Sequence, residues 1–387
     1  MNRKANIITT VVFVGIIFCL SFMFLLKEDE TFSEQENRRL QTIPELKWDS
    51  LISGKYSEEI NKYFADQFPL RDFFVGVKGI SELTLQKGEN NNVLLGQDGF
   101  LAVRGFTAYG GIDYYNKDLV SAHFPAVKKL QETLEDKGKD FAIIIPPRTI
   151  EVASSKFDYP ENSAEQLLSF IKEGFKDVDY IDIQPLLKEK LDNGEYVYYK
   201  TDHHYTSLGA YYVYREVMRE FGLEDSTIPP EDFDIELASD SFYGTTWSKG
   251  GFKFVSPDSM QFWHYKYGDE NDYTTKNYAK SFGGFYDRSF LKKKDKYSAF
   301  IGGNSSLTTI TKTSGENAGN RPRLLLVKDS FGLSLAPFLA LHFDLEIVNT
   351  EGTTNISEMA EEKECDYVLI VYNTDNFVST RDLSLVR

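Results

Sequence analysis

The chain has 387 residues, 41% of them hydrophobic, enough for one large domain or two moderate ones with a proper core. Its formal net charge of -16 argues against a nucleic-acid partner, because phosphate contacts need Lys and Arg in excess. The two cysteines, Cys19 and Cys365, lie far apart, which excludes a disulfide framework and any CxxC or Cys/His metal spacing.

Residues 7–26 form an apolar run without a charge, and about 20 such residues span a bilayer as a helix. Arg3 and Lys4 precede the run, and Lys27 is followed at once by Glu28, Asp29 and Glu30. The positive-inside rule then places residues 1–6 in the cytoplasm and the rest of the chain outside. A cleaved signal peptide is the competing reading. Its apolar region is normally shorter and ends at a small-residue site, and no such site follows Leu26. The expectation is a single-pass anchor in the cell membrane with an extracellular C-terminal domain.

Residues 27–92 are charged and helix-leaning, with Ser33 to Leu40 running up to a break at Pro44. Ser57 stands where a helix cap belongs, and Ile60, Tyr63 and Phe64 then share one face. Asp66-Gln67-Phe68-Pro69-Leu70-Arg71 interrupts this helix before a second amphipathic run over residues 73–85. The region reads as a membrane-proximal helical lead that packs on the main domain.

The main domain covers residues 93–387. Val93-Leu94-Leu95 and Phe100-Leu101-Ala102-Val103 flank Asp98-Gly99, the pattern of a hairpin. Helical patterns follow over residues 118–137, ended by Gly138, and over residues 163–176. Short apolar runs at 141–145, 180–183, 324–327 and 367–371 read as strands. This alternation predicts an α/β fold, a parallel sheet with helices on both faces. Ligands of such sheets bind beyond the carboxyl ends of the strands, so the loops after Ile145, Val327 and Val371 are where chemistry is expected. Residues 224–320 fit this pattern less well and read as a long insertion of irregular and β structure over the sheet. The 14% aromatic content reads first as core packing, with a sugar-stacking surface as the sharper reading, and composition does not separate the two.

Two short segments carry the chemistry. Ser330 follows the apolar run 324–327 and precedes a stretch that can open a helix. There it is a nucleophile near backbone N–H groups and a helix dipole, or simply a helix cap of the same residue type. Asp202 and His204 are two residues apart, so in an extended segment their side chains point to the same side. Asp202 can then accept the Nδ1 proton of His204, which leaves Nε2 to take a serine proton. His203 points elsewhere. The competing reading of this segment is again a helix cap, since residues 206–211 look like a helix start. A metal site lacks a third ligand, and neither metal nor cofactor is expected. Asp329 is placed to bond the loop backbone. Arg148, after Pro146-Pro147, reads as a substrate contact, a loop brace or a plain surface arginine. Asn373, after the run 367–371, is a candidate second oxyanion donor. Tyr243-Gly244-Thr245-Thr246-Trp247-Ser248 reads as a source of a backbone amide or a stacking ring, or merely as a turn.

Asp202-His203-His204-Tyr205-Thr206, with Tyr in place of Trp, and Lys328-Asp329-Ser330-Phe331 resemble the signature blocks of the DHHW proteins of Gram-positive bacteria. That family is related to the SGNH-hydrolase-like domains of the alginate O-acetylation proteins AlgJ and AlgX. Glu36-Asn37-Arg38-Arg39-Leu40, Asp66 to Arg71 and Gly96-Gln97-Asp98-Gly99-Phe100-Leu101 match the family's N-terminal blocks, so the likeness covers roughly residues 30–376. The resemblance implies an SGNH-like domain in which the Asp-x-His segment precedes the serine. It also implies acetyl-ester chemistry on a cell-surface polysaccharide, beside a membrane-bound O-acyltransferase that exports the acyl group. The expected activity is O-acetyl transfer, with Ser330 as nucleophile, His204 as base then acid, Asp202 orienting it and the Ser330 amide holding the oxyanion. The alternatives are a non-catalytic polysaccharide-binding or scaffold subunit of an O-acetylation system, a carbohydrate acetyl esterase, and a plain carboxyl-esterase or lipase.

Overall fold

A computed structural model describes residues 3–33, 38–85, 87–104, 115–157, 162–349 and 355–387. The chain divides into two compact units, Met1–Asn90 with Ser248–Lys253, and Asn91–Trp247 with Phe254–Arg387.

In the smaller unit the apolar run lies within helix α1 (Arg3–Leu26), which has no buried residue. Among the described residues it is the one helix long and apolar enough to cross a membrane. Helices α2 (Lys55–Gln67) and α3 (Arg71–Thr84) follow, close to the expected amphipathic runs. Ser57 is not the cap: α2 begins two residues earlier, after Gly54, whose φ of 78° suits glycine. The helix-leaning reading of residues 33–40 gives way to a short antiparallel pairing of Phe32–Ser33 with Arg38–Arg39. Glu36 and Asn37 of that block lie outside the described residues. Asp66 and Gln67 close the unit at the end of α2. Gln67 Nε2 donates to the Glu30 and Gln41 carbonyls (2.8 and 3.0 Å), its Oε1 accepts from Glu30 N–H (3.0 Å), and Asp66 accepts from Gln41 N–H (2.9 Å).

The larger unit is a mixed α/β fold. It opens with the hairpin β1 (Val93–Leu95) and β2 (Leu101–Val103), in which Val93 faces Val103. Helix α4 (Lys117–Glu135), strand β3 (Asp140–Ile144), short helix α5 (Thr149–Val152) and helix α6 (Ser207–Glu220) follow. Then come β4 (Phe233–Phe242), β5 (Asp258–Tyr265), β6 (Tyr273–Asn277), β7 (Ser281–Gly283), β8 (Leu307–Lys312) and β9 (Arg323–Lys328). Helix α7 (Gly332–Leu339), β10 (Asp344–Val348), β11 (Tyr367–Val371) and helix α8 (Thr374–Ser379) complete the elements that matter here.

The main sheet has seven strands in the order β7-β6-β8-β10-β9-β11-β3. Strands β10, β9, β11 and β3 are mutually parallel, and β8, β6 and β7 continue the sheet antiparallel. Successive residues of β9 point to opposite faces: Leu324 and Leu326 join one core with α6 and α7, and Leu325 and Val327 join the other with α4. Burial on both faces is why β9 reads as an unbroken apolar run. Several strands depart from expectation. Tyr180 makes only a single bridge to Ile143. Asp344–Val348 is a full parallel strand not anticipated from its mixed composition. Strands β6, β7 and β8 of the insertion extend the sheet instead of lying over it, and Tyr-Thr-Thr-Lys-Asn in β6, with buried positions alternating with more exposed ones, shows no apolar run. Strands β4 and β5 of the insertion form a hairpin separate from the main sheet.

Candidate active site

Strand β9 is hydrogen-bonded on both sides to parallel neighbours, so its carboxyl end is fixed. The Asp329 N–H donates to the Val371 carbonyl (3.1 Å), and the chain then turns into α7 with Gly332 and Leu333 N–H bonding the Asp329 and Ser330 carbonyls. The buried Asp329 carboxylate accepts from Phe331 N–H (2.9 Å), Asn373 N–H (2.7 Å) and Asn376 Nδ2 (3.1 Å). It thus ties the loop after β9 to the loop after β11. Burial raises its pKa against the pull of these donors. The helix-cap reading of Ser330 fails, since α7 has no side-chain cap. Instead Ser330 Oγ lies 2.7 Å from His204 Nε2. Among the described residues the Ser330 N–H meets no protein acceptor.

His204 Nδ1 is 2.5 Å from Asp202 Oδ1, which also accepts the His204 backbone N–H (3.1 Å). A carboxylate cannot donate, so Nδ1 carries the ring proton and Nε2 is free to accept from Ser330 Oγ–H. Both side chains are buried. Burial alone would raise the Asp202 carboxyl. The charges of His203 and His204 and bonds from His204 and the Thr245 amide reverse this and hold it well below the usual carboxylate range. Burial, then the neighbouring His203, lowers His204 to about 4 against the pull of Asp202. The pair is therefore aspartate with neutral imidazole at neutral pH. The cap of α6 is Thr206, whose Oγ1 accepts from Gly209 N–H (3.2 Å), so Asp202 is not spent on a helix start.

The Asp202–His204 segment lies outside the sheet, held by side chains together with local backbone bonds such as Tyr199 N–H to the His204 carbonyl (3.1 Å). Asp258 accepts from Lys200 N–H (2.9 Å), Thr201 N–H (2.8 Å), Thr201 Oγ1 (2.5 Å) and the Tyr196 hydroxyl. The segment 243–247 supplies backbone amides to this network. Gly244 N–H donates to Thr201 Oγ1 (3.1 Å), Trp247 N–H to the Thr201 carbonyl (2.9 Å), and Thr245 N–H to Asp202 Oδ2 (2.8 Å). The approach is close enough that a Cβ on Gly244 would sit 2.2 Å from Asp202 Cβ and Oδ2. Tyr205 reaches across to the nucleophile loop, donating its hydroxyl to the Phe331 carbonyl (2.7 Å). The imidazole itself is clamped between Tyr297, stacked at 4.0 Å and 13°, and His203, whose centroid is 3.9 Å away. His203 Nδ1 contacts Thr245 Oγ1 (3.0 Å), so it braces the site.

Asp202, His203 and His204 also place potential ligand atoms within 4.8 Å of one another. Both Asp202 oxygens, His203 Nδ1 and both His204 nitrogens are engaged in the contacts above. Arg148 and Asn373 line a cavity of about 20 Å³ together with His203 and Phe331, room for about one water. Arg148 is buried and paired to Glu151 by Nε (2.9 Å), Nη2 (2.5 Å) and its backbone N–H (2.7 Å). It is therefore not a plain surface residue. Asn373 caps α8 through Oδ1, and its Nδ2 meets no protein acceptor among the described residues. The parts played by Asp258, Thr201 and Tyr297, and the bond from Tyr205 to the nucleophile loop, carry no signal in the sequence. Gly244 and Thr245, read as a source of a backbone amide, do supply amides, to Thr201 and Asp202.

The sequence matches the family described as "DHHW protein" over residues 88–349, which contain both segments. No curated protein matches the chain in sequence. Among solved structures, a DHHW family protein from Eubacterium siraeum is 18% identical, with 77% of this chain and 95% of that one covered at a TM-score of 0.57. PatB1 from Bacillus cereus, solved with a sulfonyl adduct, is also 18% identical, with 76% and 100% covered at 0.57. The O-acetyltransferase domain of Pseudomonas putida AlgJ is 14% identical, with 76% and 94% covered at 0.47. The family match spans most of the chain and both signature segments: this protein belongs to the DHHW family.

Proposed function

We propose that this protein is a membrane-anchored, extracytoplasmic serine O-acetyltransferase acting on a cell-surface polysaccharide. The observation that carries the reading is the chain Ser330 Oγ to His204 Nε2 to Asp202, at 2.7 and 2.5 Å. Its place at the carboxyl ends of parallel strands β9 and β11 favours an SGNH-like domain. Ser330 Oγ attacks the carbonyl of an acetyl donor while His204 Nε2 takes its proton. Asp202 stabilises the imidazolium. The Ser330 N–H and Asn373 Nδ2 are the donors offered to the oxyanion. Collapse expels the donor's leaving group, protonated by His204, and leaves acetyl-Ser330. A sugar hydroxyl, deprotonated by His204, then attacks this ester and restores the serine. A membrane-bound O-acyltransferase that exports acetyl groups would supply the donor.

Ser330→Ala should lower acetyl-ester turnover by several powers of ten with thermal unfolding unchanged. Undiminished turnover in a folded Ser330→Ala protein refutes the reading, and glycan binding with no turnover in the unsubstituted protein assigns a scaffold role. His204 works only when neutral, so activity is lost as pH falls through its pKa. The acid limb of kcat/KM is expected near pH 4 instead of near 6.5, measured on a small acetyl ester.

A further inference from the structure

Helix α3 leaves much of its apolar surface uncovered. Its packed face is Gly76 and Gly79. A Cβ on Gly79 would lie 3.1 Å from the Gly251 carbonyl, and one on Gly76 would lie 3.4 Å from the Lys253 side chain. Beside that contact Phe73 is 61% and Ile80 60% exposed, with Val77 between them on the same face, while Val75 packs on Gly251. Phe68, Phe74 and Phe73 touch ring to ring at 5.8 and 5.5 Å, and Phe64, one turn before Phe68, is 52% exposed. At about 200 Å² per ring, Phe64, Phe68, Phe73 and Phe74 alone leave roughly 400 Å² of apolar surface uncovered. Leu70, Val77 and Ile80 take the patch beyond what a water-soluble surface normally shows.

Its position relative to α1 says what covers it. A helix of 24 residues is about 36 Å long, against a hydrocarbon core of about 30 Å, so its last turn stands at the outer boundary of a bilayer. Phe24 in that turn packs on Tyr63 and Phe64 of α2, at 5.8 and 5.4 Å. Gln67 and Asp66, bonded to the Glu30 and Gln41 backbone, clamp α2 to the segment leaving the anchor. The apolar patch therefore begins at the level where α1 leaves the lipid. We propose that α2 and α3 lie in the outer headgroup interface of the membrane, with Phe64, Phe73, Val77 and Ile80 inserted among the acyl chains. The unit is then a collar on the anchor, not a spacer in water. This rests on reading α1 as a membrane anchor.

The full chain, reconstituted in vesicles of phosphatidylcholine with phosphatidylglycerol, tests it. An environment-sensitive thiol probe is placed on Phe73→Cys or Ile80→Cys in a Cys19→Ala background, Cys365 being buried. Asp225→Cys, on an exposed turn of the larger unit, is the water control, and a probe on native Cys19 reports the anchor. Nitroxide-labelled phosphatidylcholine should quench the probes at 73 and 80 severalfold more than at 225, with blue-shifted emission. Quenching at Cys19 with water-like signals at 73 and 80, as a protein partner for this face would also give, overturns the collar. Absence of quenching at Cys19 overturns the anchor reading, and the collar with it.

Discussion

The two halves of the candidate site are built in opposite ways. Ser330 sits at the end of β9, a strand bonded to a parallel neighbour on each side and buried on both faces. Backbone bonds fix its position. Asp202 and His204 sit in a segment outside the sheet, held by Asp258, the Gly244 and Thr245 amides and the Tyr205 hydroxyl. Substitutions on the sheet side should therefore act on stability first, and substitutions on the network side on geometry first.

The largest expected effect lies on the network side. Asp202→Asn keeps the shape but can offer an amide N–H in place of a carboxylate to His204 Nδ1, favouring the wrong tautomer. Activity should fall by about four powers of ten with little loss of stability, read from kcat beside a thermal melt. Leu326→Ala, in the middle of β9, should do the reverse: about 2–5 kcal/mol less stability by denaturant unfolding, with near-normal turnover per folded molecule. If both variants lost stability equally, the contrast would not hold. Gly244→Ala sharpens it further. Its Cβ would collide with Asp202, and the carboxylate must shift by about an ångström to make room, a displacement that costs about a hundredfold in rate. A crystal structure of that variant with Asp202 unmoved and full activity would show that the close approach does not set the geometry.

The same contrast explains what could be read from the sequence. The nucleophile half was legible, because a strand buried on both faces leaves a continuous apolar run whose end can be located. Asp202 and His204 were legible too, because the two-residue spacing is local. Their supports were not: Asp258 lies 57 positions from Thr201, and Thr245 lies 43 from Asp202. Only the fold brings them together, and a lone Asp or Gly in a tyrosine-rich stretch carries no sign of its partner. Strands β6 and β8 were missed for a related reason, since half-buried antiparallel strands of Thr, Lys and Asn show no apolar run. The apolar stripe of α3 is legible as periodicity, which locates such a stripe without saying whether protein or lipid covers it.

The central claim is that His204, held by Asp202, activates Ser330. Reaction of the folded protein with a fluorophosphonate, followed by peptide mass spectrometry, tests it most directly. The expected result is one labelled residue, Ser330, with labelling lost in His204→Ala. Labelling elsewhere, or equal labelling of Ser330 with and without His204, would contradict it.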